Sequence, residues 1–271
     1  MELDPAARAF SDILPIVEPR PKPRHVGLTE VRTPAMGVGY HASYAETVGD
    51  YLDSVKWTVG TQRLVTREKV LEINTYLHEH QIEVSSGGLL ESVIPHGEKA
   101  VRAFIEESAE LGFDIIEVSS GALVISLDEK CQIVKAVADT GLKPKPEVFG
   151  ASPIPGGYGL GNSYVSAAKI IRECEAVLEA GAWKIMIEED GVFDGGNPDK
   201  WNRDLAWALA TKIPQEYLFW EASSMALAVW LIAQFGPDVN LFTGPEWLGY
   251  LASFRAGVFG PTAGRIGGFN R

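Results

Sequence analysis

The sequence predicts a single-domain α/β protein with the (β/α)₈ TIM-barrel fold. Short apolar runs alternate with amphipathic helical segments from about residue 25 onward, and there are eight such runs. Strands separated by helices of about ten to fifteen residues pair in parallel through crossovers. Because a chain of 271 residues can supply eight such units, the pattern favours a closed barrel over an open sheet.

The predicted strands are short and apolar, and several of them end in charged or small polar residues. In chain order they are HVGLTEV, YLDSVK, IEVSS, FDIIEVSS, PKPEVFG, WKIMIEE, YLFWEAS and DVNLF. Ser126 and Glu129 form a capping box that begins the helix between the fourth and fifth strands, and Gly141 ends that segment. Cys131 and Cys174 lie within amphipathic helices, where packing as small hydrophobic side chains is the favoured interpretation.

The domain organisation follows from the limits of this repeat. We predict a proline-rich N-terminal extension over residues 1–24, the barrel over 25–260 and a C-terminal tail over 261–271. The glycine-rich segment 150–162 follows the fifth strand, as either a mobile substrate cover or a disordered connection. Its glycine spacing does not fit a turn that opens directly into a helix, so we expect no nucleotide cofactor.

Composition and charge exclude several classes of protein. The formal net charge of -12 argues against nucleic-acid binding, which needs a basic surface. No run of 18 apolar residues and no signal peptide is found, so we expect no membrane association. Only two cysteines are present, which fits a reducing cytoplasm better than secretion. We therefore predict a cytoplasmic protein.

The most informative feature is a set of glutamates at corresponding positions of four predicted strands. They are Glu117, Glu147, Glu188 and Glu221. A carboxylate at the end of a buried strand is costly to desolvate unless it is paired, hydrogen-bonded or bound to a metal. Because catalytic groups of such barrels lie at the C-terminal ends of the strands, these glutamates predict one shared polar site.

Lys56 is the most informative cation because it ends the second predicted strand. At the barrel mouth its ammonium group would bind an anionic group or stabilise an enolate, and its strand-end position beside carboxylates favours this over a purely structural ion pair. Clustered carboxylates would suit Mg²⁺, which prefers oxygen ligands. A metal-free site, in which Lys56 and Arg24 pair with the glutamates, is the alternative. The five histidines are scattered and do not indicate zinc.

Other polar groups at the predicted strand ends are candidates for substrate binding. These are Ser86, Gly87, Gly88, Ser119, Ser120 and Asn240. The hydroxyl and backbone N–H groups suit phosphate or carboxylate oxygens, although each short motif is also an ordinary turn.

Several segments together resemble the phosphosulfolactate synthase family. The segments KPRHVGLT, DYLDSVKWTVGT, LGFDIIEVSSGALVISLDE and EAGAWKIMIEEDG carry the resemblance, which covers roughly residues 20 to 260. It implies a (β/α)₈ barrel that adds sulfite to phosphoenolpyruvate with Mg²⁺, in the route to coenzyme M, and that forms a homo-oligomer.

The resemblance also implies roles for individual residues. Lys56 would hold the anionic substrate or its enolate. Glu117, Glu147 and Glu188 would serve metal binding or proton transfer, while Arg24, Glu221 and Arg255 would contact the substrate.

Departures from the family pattern leave two further functions open. Several family cations are missing; near the C-terminus, for example, Phe259 replaces one of two arginines, which leaves Arg255. The first strand also lacks a family aspartate, and Thr33 stands near its place. Apolar replacements would shape a less charged pocket, and they are Phe149, Phe193, Trp220 and Met225. The alternatives are thus a diverged barrel enzyme with a less anionic carboxylate substrate and a non-catalytic, stress-associated barrel.

Overall fold

A closed barrel of eight parallel strands forms the protein, which confirms the predicted fold. The computed structural model describes residues 7–11, 13, 16–149, 166–193 and 197–258. The strands are β1 (Thr29–Thr33), β2 (Ser54–Trp57), β3 (Glu83–Ser85), β4 (Ile115–Val118), β5 (Lys143–Val148), β6 (Ile185–Ile187), β7 (Leu218–Glu221) and β8 (Asn240–Thr243). Each strand pairs with its neighbour in sequence, and β8 pairs with β1, for example Thr29 with Leu241.

A helix follows each strand, and the helices surround the barrel. They are α1 (Val38–Val48), α2 (Arg67–Glu79), α3 (Glu98–Glu110), α4 (Leu127–Ala138), α5 (Ala167–Glu179), α6 (Arg203–Lys212), α7 (Met225–Phe235) and α8 (Leu248–Arg255). None of the helices in the described ranges is both long enough and apolar enough to cross a membrane. The glycine-rich segment 150–162 lies wholly outside the described residues.

Local sequence signals begin and end α4 as predicted. Ser126 accepts a hydrogen bond at its Oγ from the backbone N–H of Glu129 (3.1 Å), which caps α4. Gly141 follows α4 with φ +85°. Cys131 and Cys174 are unpaired members of the core between helices and barrel, in agreement with their predicted packing role.

Alternation along the strands divides the molecule into an apolar shell and a charged interior. In β4, Ile116 and Val118 belong to the apolar core beneath the helices, whereas Glu117 between them contacts buried lysines inside the barrel. Barrel interiors are usually filled by branched apolar side chains. Here charged side chains occupy much of the upper interior, and they determine the site.

Candidate active site

A cavity of about 890 Å³ opens at the C-terminal end of the barrel. Its acidic lining consists of Glu91, Glu117, Glu147, Glu188, Glu189, Asp190 and Glu221. Its basic lining consists of Arg32, Lys56 and Arg63. Gly88 and Ser119 also line it. Seven of the predicted site residues therefore meet at this cavity: Lys56, Gly88, Glu117, Ser119, Glu147, Glu188 and Glu221.

Lys56 lies at the floor of the cavity between two carboxylates. Its Nζ is 2.8 Å from Oε1 of Glu117 and 3.5 Å from Oε1 of Glu147. The ammonium group also lies 4.3 Å from the centre of the Phe242 ring, a cation–π contact. Because β2, β4 and β5 supply these three charged groups, closure of the barrel is what brings them together.

A second buried lysine lies beneath Lys56. Lys145, which is not among the predicted site residues, forms a 2.5 Å ion pair with Glu30 and lies 3.5 Å from Oε2 of Glu117. The side chains of Lys145, Glu30 and Glu117 are all fully buried. The resulting charge ladder (Glu30, Lys145, Glu117, Lys56 and Glu147) alternates in sign from the barrel centre to the cavity, which compensates for the loss of hydration.

The charge ladder sets the protonation of its upper members. Burial and the neighbouring charge of Glu147 raise the pKa of Glu117 to about 7, although two lysines oppose this shift. Burial also disfavours ionisation of Glu147, but the charge of Lys56 and the hydrogen bonds with Glu117, Ser119 and Glu188 together outweigh it, and the pKa of Glu147 is lowered. Burial alone would lower the pKa of Lys56, yet the surrounding carboxylates hold it well above its ordinary value. Lys56 is therefore an ammonium ion at neutral pH.

A pair of carboxylates, one directly after β6 and one at the end of β7, forms the opposite wall. Glu188 is hydrogen-bonded to Glu221 and to Glu147. Burial, followed by the charges of Glu221 and Glu147, raises the pKa of Glu188 well above its ordinary value. Two carboxyl groups in a hydrogen bond share one proton. This wall therefore retains a proton between its carboxyl groups, and a bound cation would displace it.

Two arginines add positive charge near the rim. Arg32 is on β1, two residues after Glu30, and it pairs with Glu246 at 2.9 Å. Arg63 is in the 3₁₀ helix Thr61–Leu64, and its exposed guanidinium has no hydrogen bond or ion pair with any residue in the described part of the chain. These two groups, with Lys56, are the cations available to an anionic ligand in the cavity.

Three predicted site residues lie at the opposite end of the barrel, so the structure does not bring them to the cavity. Arg24 pairs with Asp53 at 2.6 Å, just before β2 begins. Asn240 is the first residue of β8 rather than its end, and its Nδ2 donates to the carbonyls of Glu216 and Leu218. Arg255 donates to the carbonyl oxygens of Leu28 and Pro237.

The physical reason for these three corrections is the same. Arg24, Asn240 and Arg255 satisfy carboxylates or carbonyl groups where the strands begin, which stabilises the N-terminal face of the barrel. In particular, Arg24 does not pair with the site glutamates, as the metal-free alternative required.

Ser86, Gly87 and Ser120 are buried behind the cavity wall and do not line it. The Oγ of Ser86 accepts from the backbone N–H of Glu117 at 3.3 Å. Gly87 has φ +58°, and a Cβ there would lie 1.8 Å from the carbonyl oxygen of Trp57. Ser86 and Gly87 therefore fix the positions of their neighbours. Gly87 begins the 3₁₀ helix Gly87–Ser92, which forms one wall of the cavity.

Of the apolar replacements, only Phe149 lines the cavity, where its ring lies 3.0 Å from the position of a Cβ on Gly121. Phe193 and Trp220 are fully buried, and Met225 is partly buried, in the apolar core between barrel and helices. The expectation that these three shape the pocket is wrong. For Trp220 the reason is that it alternates with Glu221 along β7 and so lies on the opposite face of the strand.

The fold and this site define an α/β barrel of the type whose polar groups at the C-terminal mouth act on small molecules. The chain matches the model of the (2R)-phospho-3-sulfolactate synthase (ComA) family over residues 18–261. It therefore belongs to that family, which confirms the resemblance recognised from its sequence segments.

Individual relatives agree with this membership. The chain is 30% identical over 255 residues to phosphosulfolactate synthase of Methanothermobacter thermautotrophicus, which covers 90% of this chain and 94% of that protein. It is 31% identical over 243 residues to the protein HEAT-STRESS-ASSOCIATED 32 of Arabidopsis thaliana, with 83% and 84% coverage.

Solved structures show the same fold at low sequence identity. The chain matches 3-hexulose-6-phosphate synthase from Salmonella typhimurium with a TM-score of 0.52 and 13% identity, over 80% of this chain and 88% of that one. It matches 3-keto-L-gulonate-6-phosphate decarboxylase from Vibrio cholerae with a TM-score of 0.51 and 11% identity, over 87% and 100%. These matches support the barrel fold alone.

Proposed function

We propose that this protein is a phosphosulfolactate synthase-like lyase, working in the synthase direction, that adds sulfite to phosphoenolpyruvate through an enolate. The observation that carries the proposal is the position of Lys56, whose ammonium group is held by Glu117 and Glu147 at the floor of the mouth cavity. Family membership and the phosphosulfolactate synthase relatives support the same reaction class.

Substrate binding would use the cations on one side of the cavity. Phosphoenolpyruvate carries a phosphate and a carboxylate, and charge-assisted hydrogen bonds from Arg32, Lys56 and Arg63 suit both groups. Because the opposite wall is acidic, the anionic substrate would be oriented with its reacting carbons over Lys56.

The reaction forms one carbon–sulfur bond and one carbon–hydrogen bond. The sulfur lone pair of sulfite attacks C3, and the C2–C3 π electrons move to C2, where the carboxylate delocalises them as an enolate. Lys56 stabilises this charge and donates a proton to C2. Glu117, at 2.8 Å from Nζ and with a pKa near 7, returns a proton to the lysine. The phosphate group stays on the product.

Mg²⁺ is part of the proposal, and the acidic wall is where its ligands would come from. The ammonium group of Lys56 already occupies the space between Glu117 and Glu147. Within the described ranges, no group of three or more His, Cys, Asp or Glu side chains is arranged to hold a metal. Mg²⁺ commonly binds one or two carboxylates together with water and substrate phosphate. Glu188 and Glu221 fit that role, and the ion would neutralise charge on the substrate oxygens.

Direct assay tests the proposal. Purified protein is incubated with phosphoenolpyruvate, sulfite and Mg²⁺, and the loss of the enol absorbance and the ³¹P spectrum are followed together. We expect a new phosphomonoester that retains its phosphate and requires sulfite. Absence of turnover at high enzyme concentration, or release of inorganic phosphate instead, would contradict it.

A second candidate is addition to a less anionic unsaturated carboxylate. It is favoured by the cavity lining, in which seven acidic residues face three basic ones, and by the Phe149 ring on the wall. Turnover of a non-phosphorylated enoate with sulfite, in the absence of turnover of phosphoenolpyruvate, would identify this function. The open cavity gives no support to a non-catalytic barrel with a filled mouth.

A further inference from the structure

A second cavity, of about 610 Å³, lies beside the mouth between α2, α3 and the 3₁₀ helix Gly87–Ser92. Its inner wall is apolar and includes Val70, Phe104 and Phe113. Arg63 and Leu89 line both this cavity and the active-site cavity. The two cavities therefore share a wall, although nothing in the proposed reaction uses the second one.

The inner end of the second cavity contains an unsatisfied acceptor. Gln62 is 8% exposed and lines the cavity, and its Nε2 donates to the carbonyl of Ser86 at 2.7 Å. Its Oε1 is buried and has no hydrogen-bond partner among the residues that the structure describes. A buried amide oxygen without a partner is costly, so this site is suited to a ligand that donates an N–H or O–H group.

The outer end of the cavity is positively charged. The guanidinium of Arg63 is exposed and lacks an ion pair among the described residues, and His96 is exposed nearby on the lining. Arg67 bridges to Glu107 on α3 at 2.6 Å, so this pair is internally neutral. The free charge at the rim is therefore that of Arg63, which favours an anionic group on the ligand.

From this geometry we propose that the second cavity is a binding site for a small amphipathic anion with a hydrogen-bond donor at its inner end. The apolar body packs against Val70, Phe104 and Phe113, the donor binds Oε1 of Gln62, and the anionic group binds Arg63. Because Arg63 also lines the mouth, a bound molecule lies against a residue that is available to the substrate.

The probe that tests the site is 8-anilinonaphthalene-1-sulfonate, which has an apolar body, an N–H donor and a sulfonate. Titration of the native full-length chain, followed by fluorescence, should show one saturable site per chain. Gln62→Leu should weaken binding roughly three- to tenfold, because one buried hydrogen bond is lost. Gln132→Leu, the same change at an exposed position on α4 that lines a different recess, should leave the affinity unchanged.

A second variant keeps the test independent of the folding of Gln62→Leu. Ala103 is exposed on α3 and lines the cavity, so Ala103→Trp should block the cavity and abolish saturable binding without disturbing the core. Undiminished binding in Ala103→Trp, or no saturable site in the native protein, would overturn the proposal. A changed oligomeric mass of Ala103→Trp together with unchanged probe binding would also overturn it, because the cavity would then be a contact between subunits.

Discussion

Lys145 on β5 and Glu30 on β1 form an ion pair of 2.5 Å across the inside of the barrel, and neither side chain is exposed. Ser54 on β2 donates a further hydrogen bond to Glu30 at 3.1 Å. Lys145 also lies 3.5 Å from Glu117, which in turn contacts Lys56. The position of the proposed catalytic lysine thus depends on a pair of residues that no substrate in the cavity touches.

Removing one partner of this pair should be strongly destabilising. Lys145→Met leaves Glu30 buried without its counter-charge, and we expect a loss of about 3 to 5 kcal/mol in the free energy of unfolding. Urea denaturation measures it. Lys135→Met, which removes an exposed pair with Asp139, should change stability by less than about 1 kcal/mol. In the double variant Lys145→Met/Glu30→Gln the unpaired charge is removed as well. If this double variant is no more stable than Lys145→Met alone, the unpaired charge of Glu30 is not the cause of the destabilisation.

Stability should depend on pH through Glu117. Its pKa is about 7 in the folded protein and near the ordinary 4.5 in the unfolded chain. Between these values the folded state keeps a proton that the unfolded chain has released. The stabilisation of the folded state by this retained proton is therefore fully present below about pH 4.5, and it is lost as pH rises towards 7.

The variant Glu117→Gln isolates this contribution because glutamine stays uncharged. Relative to the variant, the native protein should lose on the order of 2 to 4 kcal/mol of stability between pH 5 and pH 8. Denaturation at a series of pH values in that range gives the difference. Glu106→Gln, at an exposed position on α3, serves as the control and should show no such trend. A constant difference for Glu117→Gln would contradict the raised pKa.

Lys56→Met should abolish most of the proposed activity. The variant lacks both the charge that stabilises the enolate and the proton donor, so kcat should fall by at least about a hundredfold. Steady-state kinetics on phosphoenolpyruvate and sulfite measure it. Lys143→Met removes a lysine on β5 that pairs with Glu83 at the opposite end of the barrel, and it should retain activity. A Lys56 variant with undiminished kcat would exclude the proposed role.

Binding of Mg²⁺ should release a proton. A carboxyl group must be ionised to bind a metal, and the pKa of Glu188 is raised well above its ordinary value. Titration calorimetry near pH 7 in two buffers of different ionisation enthalpy should therefore give different apparent enthalpies, and affinity should rise with pH. Glu188→Gln should remove the proton release, whereas Glu175→Gln at an exposed position on α5 should not. Equal enthalpies in both buffers would argue against Glu188 as a ligand.

The wall that separates the two cavities depends on one glycine. Gly87→Ala places a Cβ 1.8 Å from the carbonyl oxygen of Trp57, so the backbone must move and stability should fall by more than about 3 kcal/mol. Gly141→Ala is the matched control, because φ there is also positive (+85°) but no atom lies within 4 Å. It should cost only about 1 to 2 kcal/mol. Similar losses in both variants, measured by denaturation, would show that steric contact is unimportant.

The sequence predicted the barrel and the acidic half of its site because both depend on local patterns. Periodicity located all eight strands, and position at the strand ends located Lys56 and the four glutamates. Lys145 was missed although the signal was present. It lies two residues before Glu147 on the same strand, so the two side chains share a face.

Other residues depend on information that a single sequence does not contain. Asn240 was assigned to the wrong end of β8, because the point at which a strand meets the mouth is set by its register with its neighbours. Arg63 reaches the cavity from a 3₁₀ helix, a placement that no periodic pattern predicts. Whether an arginine near a strand faces the mouth or the opposite end is decided by long-range contacts, as for Arg24 and Asp53.

The charge ladder also constrains the order in which the barrel can assemble. Glu30 and Lys145 are 115 residues apart in the chain. While the ribosome has released only the first four strands, Glu30 and Glu117 are present but their shared lysine is still to be synthesised. Lys56 on β2 can already pair with Glu117, but Glu30 has no lysine beside it until β5 has emerged, so the lower part of the charged interior is completed only when the second half of the barrel is present.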